Sequence, residues 1–174
     1  ACTITGIGLG IKRKNEDRVA FSFIGEGGSS LGEWHEAINI AAAQNLPVVF
    51  CIQNNQTALS TPVNQQSKVR TFGDKAIGYG LHHVSIDGTD PEAIAAGFTW
   101  AAQRARNGHG PTVIEIIAMR MCGHAHHDDM LYLGADPDLH FEYPHPNDKG
   151  YANIELYQEW AKRDPIKTYA KKLM

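Results

Sequence analysis

The chain has 174 residues, 43% of them hydrophobic and 20% charged, with a formal net charge of −3. That length supports one domain with a real core, and the near balance of charge excludes a general electrostatic grip on nucleic acid or anionic membrane. No stretch approaches the run of about 18 apolar residues that a membrane span needs, and no cleavable signal pattern opens the chain. Cys2, Cys51 and Cys122 are odd in number and far apart. They argue against a disulfide framework and for a reducing compartment, a cytosol or an organelle matrix.

In chain order, Ile4 to Ile11 reads as the end of a buried, glycine-rich helix, with Lys12-Arg13-Lys14 suited to its negative C-terminal end. The chain begins without Met and enters that apolar stretch at once, which predicts a cut inside a helix of a larger subunit. Arg18 to Ile24, apolar with aromatic and β-branched residues, predicts a buried strand. Ser30-Leu31-Gly32-Glu33 has the spacing of a capping box. From there Trp34, Ala37, Ile38, Ala41 and Ala42 recur at helical spacing up to Asn45. Pro47 opens a second strand, Val48 to Ile52, which stops at Gln53-Asn54-Asn55.

Lys68 to Gly80 reads as a helix weakened by Gly73 and Gly78. A strand over His82 to Ile86 turns at Asp87-Gly88, and Asp90 caps a helix with Pro91 in its first turn that runs to Arg106. Thr112 to Ala118 is a further β-branched strand. Beyond Gly123, Gly, Pro, Asp and His accumulate to residue 150 without apolar periodicity, and two short helices follow, Ile154 to Arg163 and Ile166 to Leu173. Strands alternating with helices predict an α/β fold: a doubly wound, mostly parallel sheet, then a long functional loop and a helical tail. Ligands of such sheets bind beyond the carboxyl ends of the strands, here 25–30, 53–60 and 120–129.

Gly25-Glu26-Gly27-Gly28 ahead of a helix offers backbone amides to an anion such as phosphate, although a plain tight turn with an exposed Glu26 has the same residues. Asn disfavours strands, yet Asn54-Asn55 follows directly on Val-Val-Phe-Cys-Ile. An amide oxygen, a carboxylate, backbone carbonyls and phosphate oxygens compose an octahedral magnesium shell. An Asx-type turn is the alternative. Glu26 and Asn54 stand 28 positions apart across one βαβ crossover, so adjacent parallel strands bring both to one sheet edge. Six of the nine histidines fall between His109 and His145, and His124, His126, His127, Asp128 and Asp129 compose a candidate transition-metal site.

Gly25-Glu26-Gly27 and Asn54-Asn55 together resemble the thiamine-diphosphate motif, a Gly-Asp-Gly start and an Asn-Asn finish one crossover later. Ser29 to Asn39, Leu46 to Phe50 and Asn54-Asn55-Gln56-Thr57-Ala58-Leu59-Ser60-Thr61-Pro62 are similar to the alpha subunit of 2-oxo acid dehydrogenases. Asp87 to Asp90, Gly110-Pro111-Thr112 with Glu115, and Asp164-Pro165-Ile166 also have counterparts there, so the resemblance covers essentially the whole chain. Arg120, Gly123-His124 and Asp128-Asp129 match that family's active-site loop.

The resemblance implies a thiamine-diphosphate-binding fold divided into a cofactor-diphosphate core (1–120), an active-site and connecting loop (121–150) and C-terminal helices (151–174). It implies magnesium held by Glu26, Asn55 and the Thr57 carbonyl. The diphosphate is held by the turn Gly25-Glu26-Gly27-Gly28, through its Gly27 and Gly28 amides, and by Arg120, whose fork of donors suits oxyanions. His124 faces the reacting carbon, where imidazole passes protons near neutral pH, and Asp128 orders the loop. The implied reaction is oxidative decarboxylation of a 2-oxo acid, a branched-chain one favoured, with acyl transfer to a lipoyl group.

The implied partners are a beta-type subunit or domain, which supplies the activating glutamate, and a lipoyl-bearing acyltransferase, in a heterotetramer or fused dimer. The chain alone is expected to bind cofactor weakly and turn over nothing. Two departures stand out: Glu26 replaces the family's Asp, and Ala125 follows His124 where some mitochondrial relatives carry a phosphorylated Ser, which removes that charge switch. The competing readings are a non-catalytic α/β module for a phosphate ligand and a metal-binding protein using the histidine loop.

Overall fold

A computed structural model of the chain describes residues 1–136 and 145–174. Its centre is a parallel sheet of four strands, β1 (Ala20–Gly25), β2 (Val48–Asn54), β5 (His82–Asp87) and β6 (Thr112–Ile117), in the order β1-β2-β6-β5. A hairpin of two-residue strands, β3 (Thr57–Ala58) and β4 (Thr61–Pro62), leaves the end of β2. The helices are α1 (Cys2–Arg13), α2 (Gly32–Ala43), α3 (Val63–Gln66), α4 (Pro91–Arg106), α5 (Asp129–Tyr132), α6 (Ile154–Lys162) and α7 (Pro165–Leu173).

The alternation of side chains along β2 sorts the core into two layers. Val48, Phe50 and Ile52 face Ile11 of α1 and Trp34, Ala37, Ile38 and Ala41 of α2. Val49 faces the other way, with Ile114, Ile86 and Ala101 of α4. Alanines at the α2 contact let the helix approach closely, and Trp34 meets Phe50 edge-on at 5.4 Å. Burying a side chain of that size contributes about 2 kcal/mol. Helices therefore cover both faces, as the apolar run of β2 requires, and the sheet is doubly wound.

Two expectations are corrected. Ser30 does not cap α2: it belongs to a 3₁₀ turn over Gly28–Ser30, its amide donates to Gly27, and Leu31 takes the N-cap position. The tight turn spends Ser30 on an i→i+3 bond, and the chain needs one extended residue before the helix can start. Lys68 to Gly80 is not an α-helix; the segment is 3₁₀ over Phe72–Tyr79, with Asp74 accepting from the Thr71 amide at 3.0 Å. Asp90 does cap α4 as sequence patterning predicts, and Asn153 and Asp164 cap α6 and α7. His140, one of the clustered histidines, lies outside the described residues.

Cys51 lies in the middle of β2 at 0% exposure, and burial pushes its thiol from 9.0 up to about 12. Burial likewise pushes Tyr132 from 10.0 to about 12. Both groups hold their proton more tightly in the folded chain than in the unfolded one. The stability this confers is complete at neutral pH and is lost as pH rises from about 9 to about 12 for Cys51 and from about 10 to about 12 for Tyr132, at about 1.4 kcal/mol per pH unit within each window. Urea titrations at increasing pH should show a midpoint that falls once the free-thiol value is passed, and Cys51→Ala should delay that fall. A midpoint that stays level into strong alkali contradicts the assignment.

Candidate active site

The site begins at the carboxyl ends of β1 and β2. Their register pairs Gly25 with Gln53, so the next residues of each strand, Glu26 and Asn54-Asn55, emerge side by side. The Asn55 N–H donates to Glu26 Oε2 at 3.2 Å, and Gln66 Nε2 reaches Glu26 Oε1 at 3.5 Å. Glu26 is 2% exposed and forms no ion pair among the described residues. Gln66 Nε2 also donates to the Thr61 carbonyl at 2.7 Å, while Gln66 Oε1 is buried without a partner. The turn after β1 lies directly on the hairpin: a Cβ on Gly27 would come within 2.4 Å of the Ala58 Cβ. Gly25 faces open space, so packing does not require a glycine there.

The hairpin presents Thr57. The Val63 N–H donates to the Gln56 carbonyl at 3.2 Å, which makes Gln56 and Val63 a hydrogen-bonded pair. Antiparallel pairs alternate, so Thr57–Pro62 is the non-bonded kind and the Thr57 carbonyl turns away from β4. Asn55 Oδ1 accepts weakly from the Thr57 N–H at 3.4 Å. Asn55 thus contacts both Glu26, through its N–H, and Thr57, through its Oδ1.

Arg120 lies on the other side of the hairpin tip. It is 8% exposed, and among the described residues its Nη2 makes all the side-chain hydrogen bonds: to the Leu59 carbonyl at 2.8 Å, the Tyr151 hydroxyl at 2.6 Å and Asp128 Oδ2 at 3.5 Å. The guanidinium lies 4.4 Å over the Tyr132 ring, whose hydroxyl donates to the Arg120 carbonyl. Nε and Nη1 are buried and donate to no described residue. The loop beyond is closed by two buried carboxylates. Asp128 accepts from the His124 N–H at 3.0 Å and from the Tyr151 hydroxyl at 3.0 Å, and Asp129 accepts from the Gly123 N–H at 2.5 Å. The His124 ring is exposed and makes no hydrogen bond among the described residues. A cavity of about 480 Å³ opens beside the hairpin, lined by Asn55, Thr57, Val63, Met119, Tyr132 and Tyr151 among others.

The family model described as dehydrogenase E1 component matches residues 1–137. This chain belongs to the dehydrogenase E1 component family. Its relatives include the pyruvate dehydrogenase E1 component subunit alpha of Bacillus subtilis, 37% identical over 92% of this chain and 39% of the relative. The 2-oxoisovalerate dehydrogenase subunit alpha of the same organism is 37% identical over 94% of this chain and 44% of the relative. The 3-methyl-2-oxobutanoate dehydrogenase subunit alpha of Mycobacterium tuberculosis is 38% identical over 94% and 40%. The E1 chain described here thus spans about two fifths of the length of these relatives. A solved structure of an enzyme from Mycobacterium smegmatis, assigned as thiamin diphosphate-dependent, matches 67% of this chain and 21% of its own at a TM-score of 0.53 and 25% identity.

Within this E1 chain, three site residues escaped the sequence. Gln66 and Tyr151 sit in no motif and reach Glu26 and Arg120 only through tertiary folding, and Leu59, although inside the Asn54–Pro62 segment, contributes a backbone carbonyl that its residue type does not announce. The two asparagines, which look alike in sequence, divide the work. Asn54 is 7% exposed and its side chain is spent inside the protein, whereas Asn55 faces the Glu26 carboxylate. The histidine loop assembles no metal site: among the described residues no group of three or more His, Cys, Asp or Glu side chains is placed to hold an ion.

Proposed function

We propose that this chain carries the magnesium and cofactor-diphosphate site of an alpha-type decarboxylating component of a 2-oxo acid dehydrogenase. Its cofactor is thiamine diphosphate and its substrate a branched-chain 2-oxo acid. The names of the relatives support the reaction class. The observation that carries the reading is the half-buried hydrogen bond from the Asn55 backbone N–H to the buried Glu26 carboxylate at the carboxyl edge of the sheet. A buried carboxylate without a cation is costly. Glu26 has none among the described residues, Gln66 Oε1 next to it lacks a donor, and Arg120 keeps two buried donors unspent. A divalent cation bridging to a diphosphate supplies what each of them lacks, so the residues fit the group.

In this reading Glu26, Asn55 Oδ1 and the Thr57 carbonyl hold magnesium, hard oxygen donors for a hard ion. The Gly25–Gly28 turn, through the Gly27 and Gly28 amides, and Arg120 hold the diphosphate. Bound thiamine diphosphate supplies the carbon nucleophile and electron sink that decarboxylation of a 2-oxo acid needs. His124 moves a proton at its imidazole near the reacting carbon, free to do so because its ring is uncommitted. Asp128 fixes the loop backbone beneath it. A beta-type partner supplies the glutamate that activates the cofactor, and a lipoyl-bearing acyltransferase takes the acyl group, in the cytoplasm of a bacterium.

Titration of the chain with thiamine diphosphate and magnesium, against ATP and magnesium, tests this. Weak, magnesium-dependent binding of thiamine diphosphate and none of ATP is the expected result; preference for ATP overturns it. The chain alone should release no carbon dioxide from 3-methyl-2-oxobutanoate, and measurable release contradicts the need for a partner glutamate.

A further inference from the structure

Among the described residues, the most deeply buried carboxylate outside those proposed to bind ligand is Glu115, at 0% exposure in the middle of β6. Its register partners are Ile52 on β2 and Ser85 on β5, so it shares one face of the sheet with Asn54, two residues beyond Ile52. Three donors converge on it. Asn54 Nδ2 donates to Oε1 at 2.8 Å, and Ser85 Oγ at 2.8 Å and the Gly73 N–H at 3.0 Å donate to Oε2. A Cβ at position 73 would lie 2.8 Å from His83 Nδ1 and 3.3 Å from Ser85 Oγ, so a larger residue there has to displace the side chains around Glu115.

Asn54 passes this anchorage to the site. Its Oδ1 accepts from the Gln56 N–H at 3.0 Å, and its carbonyl accepts from the Ala118 N–H at 2.8 Å. Gln56 has φ 73, a left-handed conformation that a glutamine adopts only when its surroundings impose it. Its side chain is tied down as well, Nε2 donating to the Ala118 carbonyl at 2.8 Å. With Asn54 and Gln56 both fixed, the residue between them has one direction left. Its N–H meets Glu26.

We propose that Glu115 is a positioning residue of the cation site: through Asn54 it holds the strained corner at Gln56 and so aims Asn55 at Glu26. The inference rests on the magnesium reading given above and adds to it a residue that touches neither metal nor cofactor. Geometry allows an exchange of roles. In the double variant Asn54→Asp with Glu115→Gln the amide and the carboxylate trade places. The introduced amide on β6 still accepts from Ser85 and Gly73 through its oxygen, and its nitrogen donates to the introduced carboxylate on β2.

The test uses the 174-residue chain with thiamine diphosphate and manganese, its affinity read by electron paramagnetic resonance. Glu115→Gln and Asn54→Asp should each weaken manganese binding about tenfold, the scale of one hydrogen bond, and the double variant should recover it. Ser85→Ala also removes a bond to Glu115 and lowers stability, but it spares Asn54 and should leave manganese affinity unchanged. Equal loss in Ser85→Ala, or no recovery in the double variant, overturns the proposal. Hydrogen exchange at the Gln56 amide gives a readout independent of metal: faster in each single variant, restored in the double. If the parent chain takes up no manganese, the magnesium reading falls, and unchanged exchange at Gln56 then overturns the positioning role separately.

Discussion

Glu115→Ala should cost about 4 kcal/mol of folding stability, a large share of what a domain of this size possesses. The carboxylate is fully buried, and its removal leaves the buried Asn54 amide and the buried Gly73 N–H without an acceptor, while the exposed Ser85 hydroxyl turns to water. Each stranded polar group costs about 1–3 kcal/mol, and a vacated volume adds to the loss. Glu115→Gln keeps one oxygen for Ser85 and Gly73 and sets an amide against the Asn54 amide, so about half the effect remains. Urea denaturation measures both. A loss under about 1 kcal/mol for the alanine variant means that the two buried donors, Asn54 and Gly73, find other acceptors, and contradicts the anchoring role of Glu115.

The second large effect runs in two directions at once. Glu26→Gln should weaken magnesium-dependent binding of thiamine diphosphate about 100-fold, while the ligand-free chain becomes more stable by about 1 kcal/mol. The carboxylate is 2% exposed, with only the Asn55 N–H and the Gln66 amide for company at 3.2 and 3.5 Å. Neutralising a charge held there without a cation relieves the fold and removes the ligand's counter-charge. Binding that keeps its affinity and its magnesium requirement in this variant sinks the cation site. A loss of binding accompanied by a loss of stability points instead to a purely structural Glu26.

The sheet was legible because its strands are short apolar runs rich in β-branched residues, as in Val48–Ile52 and Thr112–Ile117. The one crossover from Glu26 to Asn54 placed both motifs at the same edge, and the register of Gly25 against Gln53 bears this out. What stayed hidden has physical causes. The hairpin at Thr57–Pro62 has two-residue strands, too short for a period of two to show. Ser30 has the letters of a cap, but the 3₁₀ turn before it consumes the residue. Tyr151 reaches Arg120 because the return segment bonds along the chain before it, Tyr151 N–H to the Leu131 carbonyl and Ala152 N–H to the Tyr132 carbonyl, a pairing with no local pattern. Gln66 looks like any polar residue of a surface turn until α3 brings it to Glu26.

The strand order β1-β2-β6-β5 has a consequence for how the molecule is made. Asn54 meets Glu115 across a sequence separation of 61, and its carbonyl takes the Ala118 amide from the far end of β6. Contacts so distant along the chain form late, after the entropy of closing a long loop has been overcome. A nascent polypeptide that has released β1, α2 and β2 from the ribosome already holds Glu26 and Asn55, but nothing yet fixes the corner between them. The proposed cofactor site is unfinished until β6 slots in between its two neighbours, so ligand is expected to reward the completed sheet and not an earlier intermediate.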